Sequence, residues 1–185
     1  SIIKKDFNET FTTPPLKIVY RGSEGDEAGK LFLYDLQKKT KEVLLTGDLE
    51  IEQFAPCPEG DCVYLLGARK WLYQNPLSQL YRFDFTTQKL TQLTHEEQFL
   101  NQHFAVSADG RAIAMSRIMV SVNGEYLTHE EVWIASTKDF VFQRFPEAAY
   151  GRSFFFTPDG SYLLYRNEND NFELSPTTKG KPEDK

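Results

Sequence analysis

The sequence predicts an all-β protein made of repeated four-stranded antiparallel blades, and three observations predict it. Turn glycines recur at one interval: Gly60, Gly110 and Gly160 lie fifty residues apart each time (110 − 60 and 160 − 110). A period of this size marks a repeat architecture. Each glycine also belongs to a turn that opens an apolar run. Thr157-Pro158-Asp159-Gly160 precedes residues 161–166, Ser107-Ala108-Asp109-Gly110 precedes 111–116, and Pro58-Glu59-Gly60-Asp61 precedes 62–67. Proline presets a turn, Asp-Gly adds a side-chain hydrogen bond and a residue free to take positive φ, and the apolar runs suit buried strands. Finally, fifteen Phe and nine Tyr are interleaved with closely spaced turn signals, as in all-β chains.

Taken in order, residues 1–6 read as a polar arm or an added strand. The first unit, about 6–46, has a strand-like stretch at 7–13, then Pro14-Pro15, and strands at 17–21, 30–36 and 42–46. The second, about 51–94, has strands at 51–55, 62–67, 79–85 and 89–94. The third, about 101–145, has them at 101–106, 111–116, 131–135 and 140–145. Leu31 and Leu80 occupy equivalent places, as do Phe32 and Tyr81, and Asp35 and Asp84; such a repeated Asp predicts a structural role in every unit. The fourth unit, about 152–174, has two clear strands at 152–156 and 161–166 and the start of a third at 171–174. Residues 175–185 read as a polar tail. The count is about three and a half blades in a single array.

These units resemble the WD40-like Pro-Asp repeat of TolB-type β-propellers. Thr157-Pro158-Asp159-Gly160-Ser161-Tyr162-Leu163-Leu164-Tyr165 carries the pattern most fully. Ser107-Ala108-Asp109-Gly110 has Ala in place of Pro, and Pro58-Glu59-Gly60 has Glu in place of Asp. Leu80-Tyr81 and Leu93-Thr94 match later positions of the repeat. The resemblance covers most of 12–167 and implies a β-propeller, a fold that serves many functions. Propellers close with four or more blades around a channel. The chain is therefore expected not to close a ring alone, with another chain or missing residues covering its open, apolar side.

The formal charge of −6 argues against nucleic acid, whose phosphates require a basic surface. No apolar run reaches membrane-span length. The chain opens on Ser1 without a signal-like segment, so any targeting peptide is expected to lie outside it. Cys57 and Cys62 flank a hairpin turn, which leaves a disulfide or two buried thiols open. TolB-like proteins are commonly extracytoplasmic, and the resemblance thus implies a periplasmic or secreted setting and favours the disulfide. Zinc is not expected, because no second Cys or His pair stands at ligand spacing. His95, His103 and His129 have no Gly-x-Ser-x-Gly elbow to serve, and Gly151-Arg152-Ser153-Phe154-Phe155 fails at its last position. Asn167-Glu168-Asn169-Asp170-Asn171 is rich in oxygens but departs from an EF-hand loop at Phe172 and Thr178. Asn8-Glu9-Thr10 matches an N-glycosylation sequon, a pattern that often occurs by chance. No catalytic residue, cofactor site or metal site is expected.

Two loops carry interface-type residues. Residues 68–78 hold Arg69, Trp71 and Tyr73, and residues 117–129 hold Met119, Tyr126 and Leu127. Such side chains anchor protein interfaces, or else fold back over their own blade. The expected function is a non-enzymatic propeller module that binds a protein partner. The alternatives are the propeller of a prolyl-oligopeptidase-like serine peptidase, with its catalytic half elsewhere, and a carbohydrate-active lyase propeller.

Overall fold

The computed structural model describes residues 17–23, 25–27, 29–46, 49–69, 77–145, 150–167, 169 and 171–177. The chain forms two compact units, Ser1–Thr46 and Gly47–Lys185. The first holds a sheet in the order β1 (Lys17–Arg21), β2 (Leu31–Asp35), β3 (Thr40–Leu45). Its core is the Leu31-Phe32-Leu33 run, buried throughout, with Tyr20 stacked on Phe32 at 5.2 Å between ring centres. The strand expected at 7–13 lies outside the described residues.

The second unit holds three antiparallel sheets in chain order. They are β4 (Leu49–Pro56), β5 (Cys62–Arg69), β6 (Gln79–Asp84), β7 (Lys89–Gln92); then β8 (Phe99–Val106), β9 (Ala112–Met119), β10 (Glu131–Ser136), β11 (Gln143–Phe145); then β12 (Tyr150–Phe156), β13 (Tyr162–Arg166), β14 (Phe172–Pro176). These are β-propeller blades, called blades 2, 3 and 4 after the order of the repeat, with the first sheet as blade 1. Several strand boundaries differ from the sequence expectation by a few residues, among them the last strands of blades 4 and 3. In blade 4 the third strand runs through Pro176, into what reads as a polar tail from 175. Phe172-Glu173-Leu174-Ser175 alternates apolar and polar residues as a strand does, and pairing with β13 carries the strand on through Pro176. In blade 3 the last strand starts at Gln143, not 140, because the β10–β11 turn continues through Phe140 at φ 53°.

The three repeat turns are nearly superimposable in their bonding. Gly60, Gly110 and Gly160 have φ of 78°, 71° and 71°, where a side chain would be strained. Their N–H groups donate to the carbonyls of Cys57, Ser107 and Thr157 at 2.9, 2.9 and 2.8 Å. The Ser107 and Thr157 hydroxyls each donate to the Asp two residues on at 2.6 Å, and accept the N–H five residues on. These bonds hold the Asp109 and Asp159 carboxyls below the usual carboxylate range. In blade 2 the same span, residue 57 to residue 62, is closed by the Cys57–Cys62 disulfide, with Cα atoms 5.2 Å apart. A covalent tie thus stands where its neighbours use a hydroxyl clamp.

The turns also touch one another. A Cβ on Gly110 would strike the Glu59 carboxylate, and one on Gly160 would meet Asp109 Oδ1 at 2.9 Å. The acidic residue of each turn lies on the glycine of the next.

Asp35 and Asp84 perform the repeated structural task expected of them. Asp35 Oδ1 accepts the N–H groups of Gln37 and Lys38, and Asp84 Oδ1 those of Thr86 and Thr87. These bonds, led by Lys38 N–H and Thr87 N–H, lower both pKa values.

Between blades the core is apolar. Tyr64, Leu66 and Leu80 of blade 2 pack on Phe104, Ile113, Met115 and Phe142 of blade 3. Ala114, Val132 and Phe145 of blade 3 pack on Phe154, Leu163 and Tyr165 of blade 4. Each large side chain buried there contributes about 1.5–3 kcal/mol, so the seams are the main source of cohesion.

Candidate functional site

The β9–β10 connection is an ordered arm. Val120 bridges Tyr126, Ser121 N–H donates to the Glu125 carbonyl at 2.8 Å, and Leu127 N–H donates to the Met119 carbonyl at 2.8 Å. Gly124, at φ 81°, makes the reversal, and Ser121 Oγ accepts the N–H groups of Asn123 and Glu125. At its base Val120 N–H donates to the Gln98 carbonyl, and Met119 N–H to Thr128 Oγ1. The two readings of this loop divide along its length. Ile118 and Val120 are buried, whereas Val122 is fully exposed, Tyr126 69% and Leu127 58% exposed. The arm offers an apolar tip on a hydrogen-bonded base.

Arg69 and Met119, expected in loops, instead end strands β5 and β9, each only partly exposed. Trp71 and Tyr73 lie outside the described residues. Tyr126 is the candidate placed fully on the surface.

Beneath the arm is a site that sequence reasoning missed. Arg117, 1% exposed, lies with its guanidinium carbon 4.1 Å from the ring centre of Phe99 and 5.2 Å from those of Trp133 and Phe142. Its Nε donates to Asn101 Oδ1 at 3.0 Å, and Asn101 Nδ2 donates to the Ser78 carbonyl at 2.6 Å. Nη2 stands 3.2 Å from Glu96 Oε2, an ion pair outside hydrogen-bond geometry. Burial depresses the Arg117 pKa against the pull of Glu96. For Glu96 burial acts upward, but backbone N–H groups and Arg117 together leave its pKa lowered. The one signal in the sequence is an arginine inside the apolar run of residues 112–119.

Along the first strands of blades 2 and 3, equivalent bulges follow Ile51 and Asn101, and the residue after each bulge reaches the next blade. Gln53 Nε2 donates to the Phe104 carbonyl at 2.8 Å, and Phe104 N–H donates to Gln53 Oε1 at 3.0 Å. Its counterpart His103 lays its ring 5.1 Å from that of Phe154. Burial lowers the His103 pKa, opposed by Glu130. Ser116 stands opposite His103 in the β8–β9 register, but it is fully buried and its hydroxyl donates to Glu130. The three do not present a nucleophile. His95 and His129 are exposed.

A depressed histidine pKa stabilises the fold above the unfolded value, and that stability is lost as pH falls. His103→Gln, which copies the Gln53 arrangement, is therefore expected to make the drop in melting temperature below about pH 6.5 shallower. Melting curves across that range check it; an unchanged slope would show that His103 protonation has no part.

Asn167 Oδ1 accepts the N–H groups of Asn169 and Asn171 at 2.9 and 3.0 Å, a turn closed on itself. No helix among the described residues is long and apolar enough to cross a membrane.

The blades define a β-propeller type of protein. No family model matches the chain, nor does any curated protein sequence. Among solved structures, the chain is similar to TolB from Acinetobacter baumannii, with TM-score 0.64 and 18% identity, over 87% of this chain and 38% of that one. It is also similar to a TolB-type protein from Agrobacterium tumefaciens (TM-score 0.52, 14% identity, 88% and 58%). A chain of a nidogen/laminin complex matches at TM-score 0.54 and 13% identity, over 85% of this chain and 55% of that one. The fold is thus that of a TolB-like propeller, and the chain spans well under two thirds of each of these proteins.

Proposed function

We propose that the chain is a non-enzymatic, TolB-like propeller module that binds a protein partner in an extracytoplasmic compartment. The observation that carries this reading is the arm, which holds Val122, Tyr126 and Leu127 in solvent on a hydrogen-bonded hairpin. Keeping apolar side chains exposed on an ordered base lowers the entropy a partner must overcome on binding. The disulfide between Cys57 and Cys62 supports an oxidising compartment. A chain of similar fold occurs in the nidogen/laminin complex, which fits a role in protein recognition.

Cross-linked capture from an extract of the source cells tests the reading. Tyr126→Ala with Leu127→Ala is expected to weaken recovery of the captured protein about thirty-fold, as loss of a hot spot of about 2 kcal/mol would. The melting temperature should stay put, because both side chains stand in solvent. Equal recovery by the variant would remove the arm from the binding surface.

A further inference from the structure

The tip of the arm is a further copy of the repeat turn. Ser121-Val122-Asn123-Gly124 keeps the order of Ser107-Ala108-Asp109-Gly110 and Thr157-Pro158-Asp159-Gly160, with Asn in place of Asp. The backbone closes in the same way: Gly124 N–H donates to the Ser121 carbonyl at 2.9 Å, with φ 81° at the glycine. Three differences set the side chain at 123 apart. In the blade turns Oδ1 of the Asp accepts the hydroxyl two residues back and the N–H two residues on, at 2.6 and 3.1 Å in both. Among the described residues Asn123 bonds through its backbone N–H, to Ser121 Oγ at 3.2 Å, and its exposed side-chain amide makes no hydrogen bond. The hydroxyl and N–H bonds also lower the Asp109 and Asp159 pKa values, which keeps those carboxyls ionised and poor electrophiles. Lastly, Gly110 is crowded by Glu59 and Gly160 by Asp109, whereas a Cβ on Gly124 would meet nothing within 4 Å.

We propose that Asn123-Gly124 is a self-modifying site, at which the arm tip deamidates. The Gly124 nitrogen loses its proton to base and attacks Asn123 Cγ. A bond from nitrogen to Cγ forms, the bond from Cγ to the side-chain nitrogen breaks, and ammonia leaves. Water then opens the cyclic imide. Attack at Cγ gives aspartate, and attack at the main-chain carbonyl gives isoaspartate, with one more methylene in the backbone. Glycine puts no side chain in the way of the ring, and asparagine is among the thermolabile residues for this reason. Either product sets a carboxylate between Val122 and Glu125, and the second also lengthens the reversal that Ser121 N–H closes on the Glu125 carbonyl. The reaction needs only water, so it stands whether or not the arm binds a partner.

The purified chain, held at mildly alkaline pH and then digested, tests the site by peptide mass. Conversion of Asn123 from amide to acid is expected, several-fold faster than at mildly acidic pH, because ring closure needs the deprotonated nitrogen. Part of the product should accept a methyl group from an isoaspartate-specific methyltransferase, while Asp109 and Asp159 yield no acceptor over the same time. Asn123→Gln, whose longer side chain closes the ring far more slowly, should suppress the change and leave the melting temperature where it was. An intact Asn123 after a free peptide of residues 119–128 has converted overturns the proposal. So does isoaspartate gathering at Asp109 or Asp159 as fast as at Asn123.

Discussion

Replacing Arg117 with alanine is expected to lower unfolding stability by about 3 kcal/mol, the combined cost of an unsatisfied buried polar group and a cavity. The loss has two parts. Asn101, fully buried, is left without the donor its Oδ1 now accepts, and a void opens between Phe99, Trp133 and Phe142. Glu96 adds little, because its side chain is 41% exposed and turns to water when the arginine goes. Arg117→Met refills the aromatic box but not the hydrogen bond, so a loss of about 1–2 kcal/mol is expected there. Arg111→Ala serves as control: that side chain is 86% exposed, and its change should stay within about 0.5 kcal/mol. Urea unfolding of the three variants decides it. A loss below about 1 kcal/mol for Arg117→Ala would reduce the arginine to a space-filler.

Removing the disulfide by Cys57→Ser with Cys62→Ala should cost about 2 kcal/mol, the chain-entropy value for so short a loop. The repeat supplies a way to separate this from simple loss of packing. Adding Glu59→Asp completes in blade 2 the trio that blade 3 has in Ser107, Asp109 and Ala112. The triple variant is expected to recover about 1 kcal/mol as the hydroxyl clamp replaces the covalent one. Melting curves measure the recovery, and alkylation of the unreduced wild-type protein checks the bond itself. Two free thiols in fresh material would remove the disulfide and the support it lends to an oxidising compartment.

The blades were legible because their signals are local. A turn glycine, an acidic residue beside it and the apolar run that follows all fall within about ten residues of sequence, and all obey simple backbone rules. The Arg117 box was not legible for the opposite reason. Its members come from residues 96 to 142, and only the sheet register brings them together. Aromatic residues misled in one place. Phe140 and Phe142 read as part of a final strand, yet Phe140 turns the chain and meets Tyr64 across the seam, while Phe142 caps the arginine. Strand β14 was cut short in the reading because Ser175 and Pro176 open a polar, charged stretch, whereas backbone pairing with Leu163 and Tyr162 carries the strand through both. Of the proposed binding surface, the interface-type composition of residues 117–129 was readable, but which of those side chains stay outside depended on the hairpin.

The acidic-residue-on-glycine contact between successive turns bears on how such a chain could have grown. Blade 3 offers a bare glycine, Gly110, to the carboxylate before it and its own carboxylate, Asp109, to the glycine after it. A gene segment copied in frame would therefore bring both halves of its own joint. Unit number could drift by duplication or deletion with no compensating substitution at the turn. Selection would then act on what cannot be copied blindly, such as the single disulfide at 57–62 and the long arm at 120–128, which give otherwise interchangeable units separate histories.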